Sequence, residues 1–458
     1  MKSFNQQSGL TVTLLFLLLC GVLSCSNSTE IEKPTSTDPP DNGDEITDAE
    51  LLDIVQEATF QYFWDGAEPN SGMARERYHL DETTDGDIVT SGGSGFGLMA
   101  IIVGLERGFI SRDEAIDRFE KIVEFLENAD RFNGVWPHWL SGQTGNVRPF
   151  SDLDDGADIV ETALLVQGLL TVHQYFVDGS QQEQELAARI DDLWEEVEWN
   201  WHTKDGNENV LYWHWSPSHG WAINHAIRGY DETLIVYVLA ASSPTHPIES
   251  EVYHSGWARD GNISLNNHEA YGYSLPLRHN GAESYGGPLF WSHYSYLGLD
   301  PRNLEDQYAN YWEHNRNHTL IQYEYAIENP KGYEGYGEDL WGLTASYSID
   351  GYAAHRPFEA DYGVISPTAA ISSIPYTPDE SMKVIRNLYE NHKDQTFGPY
   401  GFYDALSFEH NWFPQRYLAI DQGPMVVMIE NHRSGILWDL FMSHPDVQTG
   451  LDKLGFSY

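Results

Sequence analysis

The chain has 458 residues, enough for one large domain or about three ordinary ones, and carries 70 Asp and Glu against 25 Lys and Arg, a formal net charge of −45. That excess repels nucleic-acid phosphates and anionic lipid headgroups, so neither is a binding partner of the polybasic kind. Only two cysteines exist, Cys20 and Cys25, both near the N-terminus, which leaves the body without a disulfide framework or a cysteine metal site.

Lys2 precedes an apolar run from Leu10 to Val22, too short to span a bilayer and suited to a signal-peptide core. It ends in Val22-Leu23-Ser24-Cys25, a pattern that looks like a bacterial lipobox, in which Cys25 is lipidated and becomes the first mature residue. The alternative is an ordinary secretory signal with an incidental cysteine. From Ser26 to about Glu45 the chain is Ser, Thr, Pro, Asp, Asn and Glu with almost nothing apolar, as in a flexible tether. The expected organisation is a signal peptide over 1–24, a lipidated tether over 25–46 and a globular body over 47–458. Such a protein is anchored in the envelope of a Gram-negative cell, facing the periplasm or the outside.

Thr47 with Glu50 makes a capping box, and Leu51, Leu52, Val55, Ala58 and Tyr62 follow at helical spacing. The next helix falls at about 94–107. Ser111 with Glu114 opens another, over 112–128. Further helices are expected at 157–177, 182–200, 226–242, 287–298, 303–329, 336–346, 366–374, 378–393 and 422–443. Strand signals are weak and fall in connections, at Val210–Trp215 and Glu269–Leu277. No window after Val22 is apolar enough to cross a membrane. About twelve helices without a βαβ alternation predict an all-α body, and the (α/α)6 toroid, six inner and six outer helices, uses twelve. Segments 94–107, 157–177, 226–242 and 422–443 are apolar nearly all round, as inner helices are; 112–128, 182–200 and 378–393 carry a charged face. The long connections are crowded with Trp, Tyr, His, Gly and Asp, and long loops on a rigid scaffold are where function concentrates.

Three acidic clusters open apolar helices. In Ser151-Asp152-Leu153-Asp154-Asp155-Gly156-Ala157-Asp158-Ile159-Val160-Glu161, Asp154 and Asp158 are four apart and share a face if helical. N-capping explains one of these acids, not four in seven residues. A calcium loop fits poorly, because the Gly is misplaced and no Glu follows at the twelfth position. The second cluster is Asp231-Glu232, before the run Leu234–Val238; a Glu at the mouth of so apolar a helix has the raised pKa of a general acid. The third is Asp421, beside Gly423-Pro424, for which capping is the plain alternative. Around them lie Trp136-Pro137-His138-Trp139, the loop with Trp201, Trp213, His214, Trp215, Trp221 and His225, the Tyr271-Gly272-Tyr273 turn, and Trp341. Trp and Tyr faces stack on sugar rings while their polar atoms bond hydroxyls. Phosphate loops, a dinucleotide fingerprint and a zinc-protease helix are lacking, which leaves a hydrolase running on carboxylates.

The blocks Trp341-Gly342-Leu343-Thr344-Ala345-Ser346, Ile365–Pro375, Gly398-Pro399-Tyr400-Gly401-Phe402-Tyr403-Asp404 and Ile420-Asp421-Gln422-Gly423-Pro424 resemble the glucoamylase-like domain of bacterial lipoproteins. With the Asp-rich helix start at 152–158, the chain is similar to glycoside hydrolase family 144 over about 47–458. The resemblance implies an (α/α)6 barrel that hydrolyses β-1,2-glucan to sophorose or longer oligosaccharides, by inversion. Carried over, it places the acidic cleft on Asp154, Asp158, Glu232 and Asp421. Asp361-Tyr362-Gly363 departs from the Asp-Gly expected there.

The resulting expectation has Glu232 as acid and Asp421 as base, acting directly or through a substrate hydroxyl. Asp154 and Asp158 bind the sugar or tune Glu232. Trp139, His214, Trp215, Tyr273, Trp341, Asp361 and Tyr362 line the substrate path. The scheme requires no metal or organic cofactor, and the charge together with the lack of an apolar stripe suggests a monomer. The alternatives are a non-catalytic glycan-binding lipoprotein, and a hydrolase of the same fold acting on another glucan linkage.

Overall fold

The structure, a computed structural model, describes residues 46–458. The signal segment, Cys25 and nearly all of the tether lie outside the described residues. Helix α1 (Asp48–Trp64) is capped by Thr47 and α3 (Arg112–Asn128) by Ser111, each with its Glu reaching back to the cap N–H. Between them runs α2 (Ser91–Glu106). Then come α4 (Ile159–Phe176), α5 (Gln181–Glu195), α6 (Leu234–Ser242), the single turn α7 (Ser250–Val252), α8 (Tyr311–Glu328), α9 (Pro367–Ile371), α10 (Pro378–Arg386), α11 (His392–Thr396), α12 (Ala419–Arg433), α13 (Ile436–Ser443) and α14 (Pro445–Leu454).

The inner ring is α2, α4, α6, the 3-10 turns at Leu289–Ser292 and Tyr294–Tyr296, α9 and α12. Its helices are buried nearly all round because each touches both neighbours and an outer helix. His293 Nε2 meets Ser373 Oγ at 2.9 Å and ties the 3-10 turns to the segment after α9. The ring closes where α12 packs on α2. Outside lie α1, α3, α5, α7 with the π turn Tyr253–Trp257, α8 and α10. The charged faces of α3, α5 and α10 turn to solvent, as their sequence pattern requires. This is the (α/α)6 toroid. Glycine sets its tightest contact: a Cβ on Gly95 of α2 would stand 2.1 Å from the Leu164 carbonyl oxygen, and one on Gly168 of α4 would stand 2.2 Å from that of Gly95. Only backbones without side chains approach so closely.

Short extended pairs lie immediately before three inner helices. Ile88–Thr90 pairs with Trp139–Ser141 before α2, Ala157–Asp158 with His214–Trp215 before α4, and Arg77–His79 with Arg416–Leu418 before α12. They hold the N-terminal ends of the inner helices, and the loops among them, at one mouth of the barrel.

Several segments differ from the sequence expectation: 226–242 is helical only over Leu234–Ser242 and 303–329 only over Tyr311–Glu328. Residues 336–346 form turns leading into the hairpin Ala345–Ser348/Gly351–Ala354, and Gly342 has φ +121, a conformation closed to residues with a side chain. Segment 287–298 is 3-10 turn rather than α-helix. Segment 422–443 breaks at Ser434-Gly435 into α12 and α13, and α14, absent from the sequence expectation, follows and packs on α6. Among the described residues, no helix is long and apolar enough to cross a membrane.

Candidate active site

Asp231 and Glu232 divide two tasks at the start of α6. Asp231 makes the local bonds: Oδ1 accepts from the Thr233 N–H at 3.0 Å and Oδ2 from Asn280 Nδ2 at 2.7 Å. The Glu232 side chain is thereby left to line a cavity of about 450 Å³ with Trp213, His225, Arg228, Phe290 and Trp291. Its carboxyl is pushed well above the usual value, first by burial and then by the negative Asp231 beside it.

Asp158 proves to be the N-cap of α4. Its Oδ1 accepts from the Val160 and Glu161 N–H groups, both at 3.0 Å, and its Oδ2 meets His138 Nδ1 at 3.0 Å. The side chain is fully buried with both oxygens engaged, so the expectation that it binds sugar is corrected: it caps the helix and holds His138. Burial raises its pKa, but the bond from His138 and the neighbouring imidazoles outweigh that and lower it. His138 is the counterpart: burial opposes its charge, yet Glu161, Asp158 and Asp154 around it lift its pKa to about 9. Asp154 is pushed up to about 7 by burial and by Asp158. His214, stacked on Trp213 with 5.4 Å between rings, lies 3.5 Å from Asp154 and 3.6 Å from Asp158. Glu161, raised first by burial, accepts from the Gly92 N–H at 2.8 Å and so joins α4 to α2.

Asp421 is not a cap. It sits inside the first turn of α12, buried, with Oδ2 unpaired among its neighbours' donors. Asp404 is its charged neighbour, with Oδ1 likewise buried and unpartnered, and burial followed by the Asp404 charge pushes Asp421 well above the usual range. Asp404, anchored by the Tyr347 N–H at 2.7 Å, is itself raised to about 6, chiefly by burial. Two interacting carboxyls titrate as a pair, and a single proton between them relieves their like-charge repulsion. The unpaired, buried Tyr294 hydroxyl lies within the fields of Asp421, Glu232 and Glu161, and so stands between the two halves of the site. Half-exposed Tyr352, also within the field of Asp421, borders a second cavity of about 600 Å³ with Tyr333, Tyr362 and His410.

The expected aromatic lining divides. Tyr362, 48% exposed, lines that second cavity. Trp139 is half-buried against Phe150, with 4.9 Å between rings, next to His138. Trp215 packs on Phe132 and Trp201, while its neighbour Trp213 faces Glu232. Tyr273 packs on the small cluster of Ala270, Leu275 and Ile321, outside both cavities. Trp341 is fully buried, its indole N–H donating to the Glu380 carbonyl at 3.3 Å, and cannot stack on a sugar. Asp361 is a buried clamp, 1% exposed: it accepts from Tyr325 and Tyr336 hydroxyls at 2.7 Å each and from the Gly363 N–H at 3.1 Å, so both oxygens are engaged by the protein. Sequence reasoning missed His138, Glu161, Asp404, Trp291, Tyr294 and Tyr352. His138 and Glu161 lay inside clusters already singled out, and Asp404 ends one of the quoted blocks.

His138, Asp154 and Asp158 present ligand-capable atoms within 4.8 Å of one another. One pair of these atoms, His138 Nδ1 and Asp158 Oδ2, is already joined by a hydrogen bond at 3.0 Å.

An all-α toroid with carboxyls gathered at the mouth of its inner ring is the plan of a glycoside hydrolase. Residues 224–445 match the family model described as putative glucoamylase. The chain is 60% identical to an endo-β-1,2-glucanase from Chitinophaga pinensis, solved with sophorotriose and glucose, over 90% of this chain and 99% of that one, with a TM-score of 0.89. It is 47% identical to an exo β-1,2-glucooligosaccharide sophorohydrolase (non-reducing end) of Parabacteroides distasonis, over 89% of this chain and 58% of that protein's length. An endo-β-1,2-glucanase from Talaromyces funiculosus, 11% identical with a TM-score of 0.66, shares the fold. The chain belongs to the β-1,2-glucanase family.

Proposed function

We propose that this protein hydrolyses β-1,2-glucan to sophorose or short β-1,2-glucooligosaccharides, as a member of glycoside hydrolase family 144. The observation that carries the reading is a buried Glu232 of raised pKa beside a Trp-lined cavity, together with a second buried carboxyl pair, Asp421–Asp404, with the Tyr294 hydroxyl within the fields of both Glu232 and Asp421. An inverting reaction needs one carboxyl that arrives protonated and another that takes a proton from water. Glu232 is the acid: its raised pKa favours the protonated form, which gives its proton to the leaving glycosidic oxygen. The Asp421–Asp404 pair is the base, receiving the proton of the attacking water directly or through a sugar hydroxyl. Asp154 faces the same mouth and hydrogen-bonds the sugar near the scissile bond, with His214 beside it. Asp158 contributes by tuning, since its charge raises both Asp154 and Glu232. Cavities beside Glu232 and beside Tyr352 offer room for glucosyl units.

The protein acts as a monomer on a lipid leash. Cys25 is the lipidated residue, 26–45 the tether, and the envelope of a Gram-negative cell the location. Release of a Cys25→Ala variant from membranes tests the anchor.

Chromatography of digests of linear β-1,2-glucan and, separately, starch tests the activity. A ladder of β-1,2-oligosaccharides from the first substrate alone is the expected result, and Glu232→Gln lowers turnover by about 10²–10⁴-fold. Wild-type turnover in that variant overturns the acid assignment.

A further inference from the structure

Fifteen residues beyond its Asp158 cap, some 22 Å along the axis at 1.5 Å per residue, α4 carries His173 in its last turn, far from the acids. Three helices meet there. His173 of α4, Asp191 of α5 and His444 at the start of α14 each offer a ligand-capable atom within 4.8 Å of the others. His173 and His444 are 7% and 3% exposed, and their rings lie 5.0 Å apart.

The surrounding hydrogen bonds fix the proton on His173. Ser443 Oγ donates to the Leu440 carbonyl at 2.7 Å, so it accepts from Gln174 Nε2 at 2.9 Å. Gln174 therefore presents Oε1 to His173 Nδ1 at 2.9 Å, and Nδ1 carries the hydrogen. In the neutral ring, Nε2 then turns a lone pair toward Asp191 Oδ2 at 3.3 Å. Lone pair faces carboxylate, an arrangement that either a proton on Nε2 or a metal cation relieves. A second observation marks an open ligand position: His444 Nε2 is buried without a partner, and a cation there would displace the hydrogen that Nε2 carries while Nδ1 accepts from the Asp446 N–H.

We propose that His173, Asp191 and His444 bind a divalent cation of the zinc class, at a structural site separate from the hydrolytic cleft. Two imidazoles and one carboxylate suit zinc, with water as the fourth ligand from the exposed side of Asp191. Bonds of about 2.0–2.1 Å to a tetrahedral ion separate neighbouring ligand atoms by about 3.3–3.4 Å, the spacing already found between His173 Nε2 and Asp191 Oδ2. Gln174 is the outer partner that orients the ligating ring. The C-terminal dipole of α4 and the Asp446 carboxylate add favourable charge. To ligate through Nε2, His444 carries its proton on Nδ1 and gives up the long 3.2 Å contact from the Asp446 N–H.

The test uses the full chain without a histidine tag, stripped with chelator and reloaded with zinc chloride or cobalt chloride. One zinc per chain retained through gel filtration is expected, with a raised melting temperature and visible cobalt absorption of a tetrahedral site. His173→Gln and Asp191→Asn each abolish all three signals. Asp191 is partly exposed, so its amide variant folds and keeps the test decisive. Failure of the wild type to retain zinc overturns the proposal in favour of a His173–Asp191 ion pair. Undiminished retention by Asp191→Asn overturns it too, since the metal then sits elsewhere.

Discussion

Replacing Asp404 by Asn separates its electrostatic role from its geometric one. The amide oxygen still accepts from the Tyr347 N–H, which now lies 2.7 Å from Asp404 Oδ2, and the Asn side chain offers Asp421 a permanent donor. Asp404 holds its proton more tightly folded than unfolded, with a pKa raised from 3.8 to about 6. Its contribution to stability is therefore fully present below pH 3.8 and is lost as pH rises through about 6. A shift of about two units corresponds to about 3 kcal/mol at 1.36 kcal/mol per unit. The variant escapes that loss. Denaturant unfolding at pH 4 should find the two proteins nearly equal, and at pH 7.5 the variant more stable by up to about 3 kcal/mol. Removing the neighbouring charge also lowers the pKa of Asp421, so the acid limb of kcat/KM moves to lower pH while turnover persists. An acid limb that stays in place, or a stability difference independent of pH, refutes the shared-proton pair.

Other outcomes follow from the same geometry. Asp158→Asn keeps a capping oxygen but removes the charge bonded to His138, so the His138 pKa falls below about 9, read by NMR titration. Tyr362→Ala raises KM for long oligosaccharides about five-fold, the equivalent of about 1 kcal/mol of stacking, with kcat unchanged. Trp341→Phe, in contrast, lowers the melting temperature and leaves KM alone; a KM effect there returns Trp341 to the substrate path. Gly168→Ala places a methyl against the Gly95 carbonyl and destabilises the barrel by about 1–3 kcal/mol, measured by chemical denaturation.

Much of the barrel was legible because its signals are local. Thr47 with Glu50 and Ser111 with Glu114 specify helix starts within four residues, and the all-round apolarity of α2 and α4 marks them as inner. The misread segments depend on distant contacts. Residues 336–346 have helical composition, but the hairpin that follows and the backbone of Gly342 decide otherwise. Trp341 and Trp213 look alike in sequence; one is core and the other faces Glu232.

The sequence by itself determined the helical plan and the three acidic helix starts, because periodicity, capping and apolar runs act over a few residues. It could not rank the acids. Asp158 and Asp421 both open inner helices, yet Asp158 is a hydrogen-bonded cap with a lowered pKa and Asp421 a buried partner of Asp404 with a raised one. That difference comes from His138, 20 residues away from the first, and Asp404, 17 from the second. Proton affinity is set by burial and by neighbouring charges, and only the closed ring brings those neighbours together.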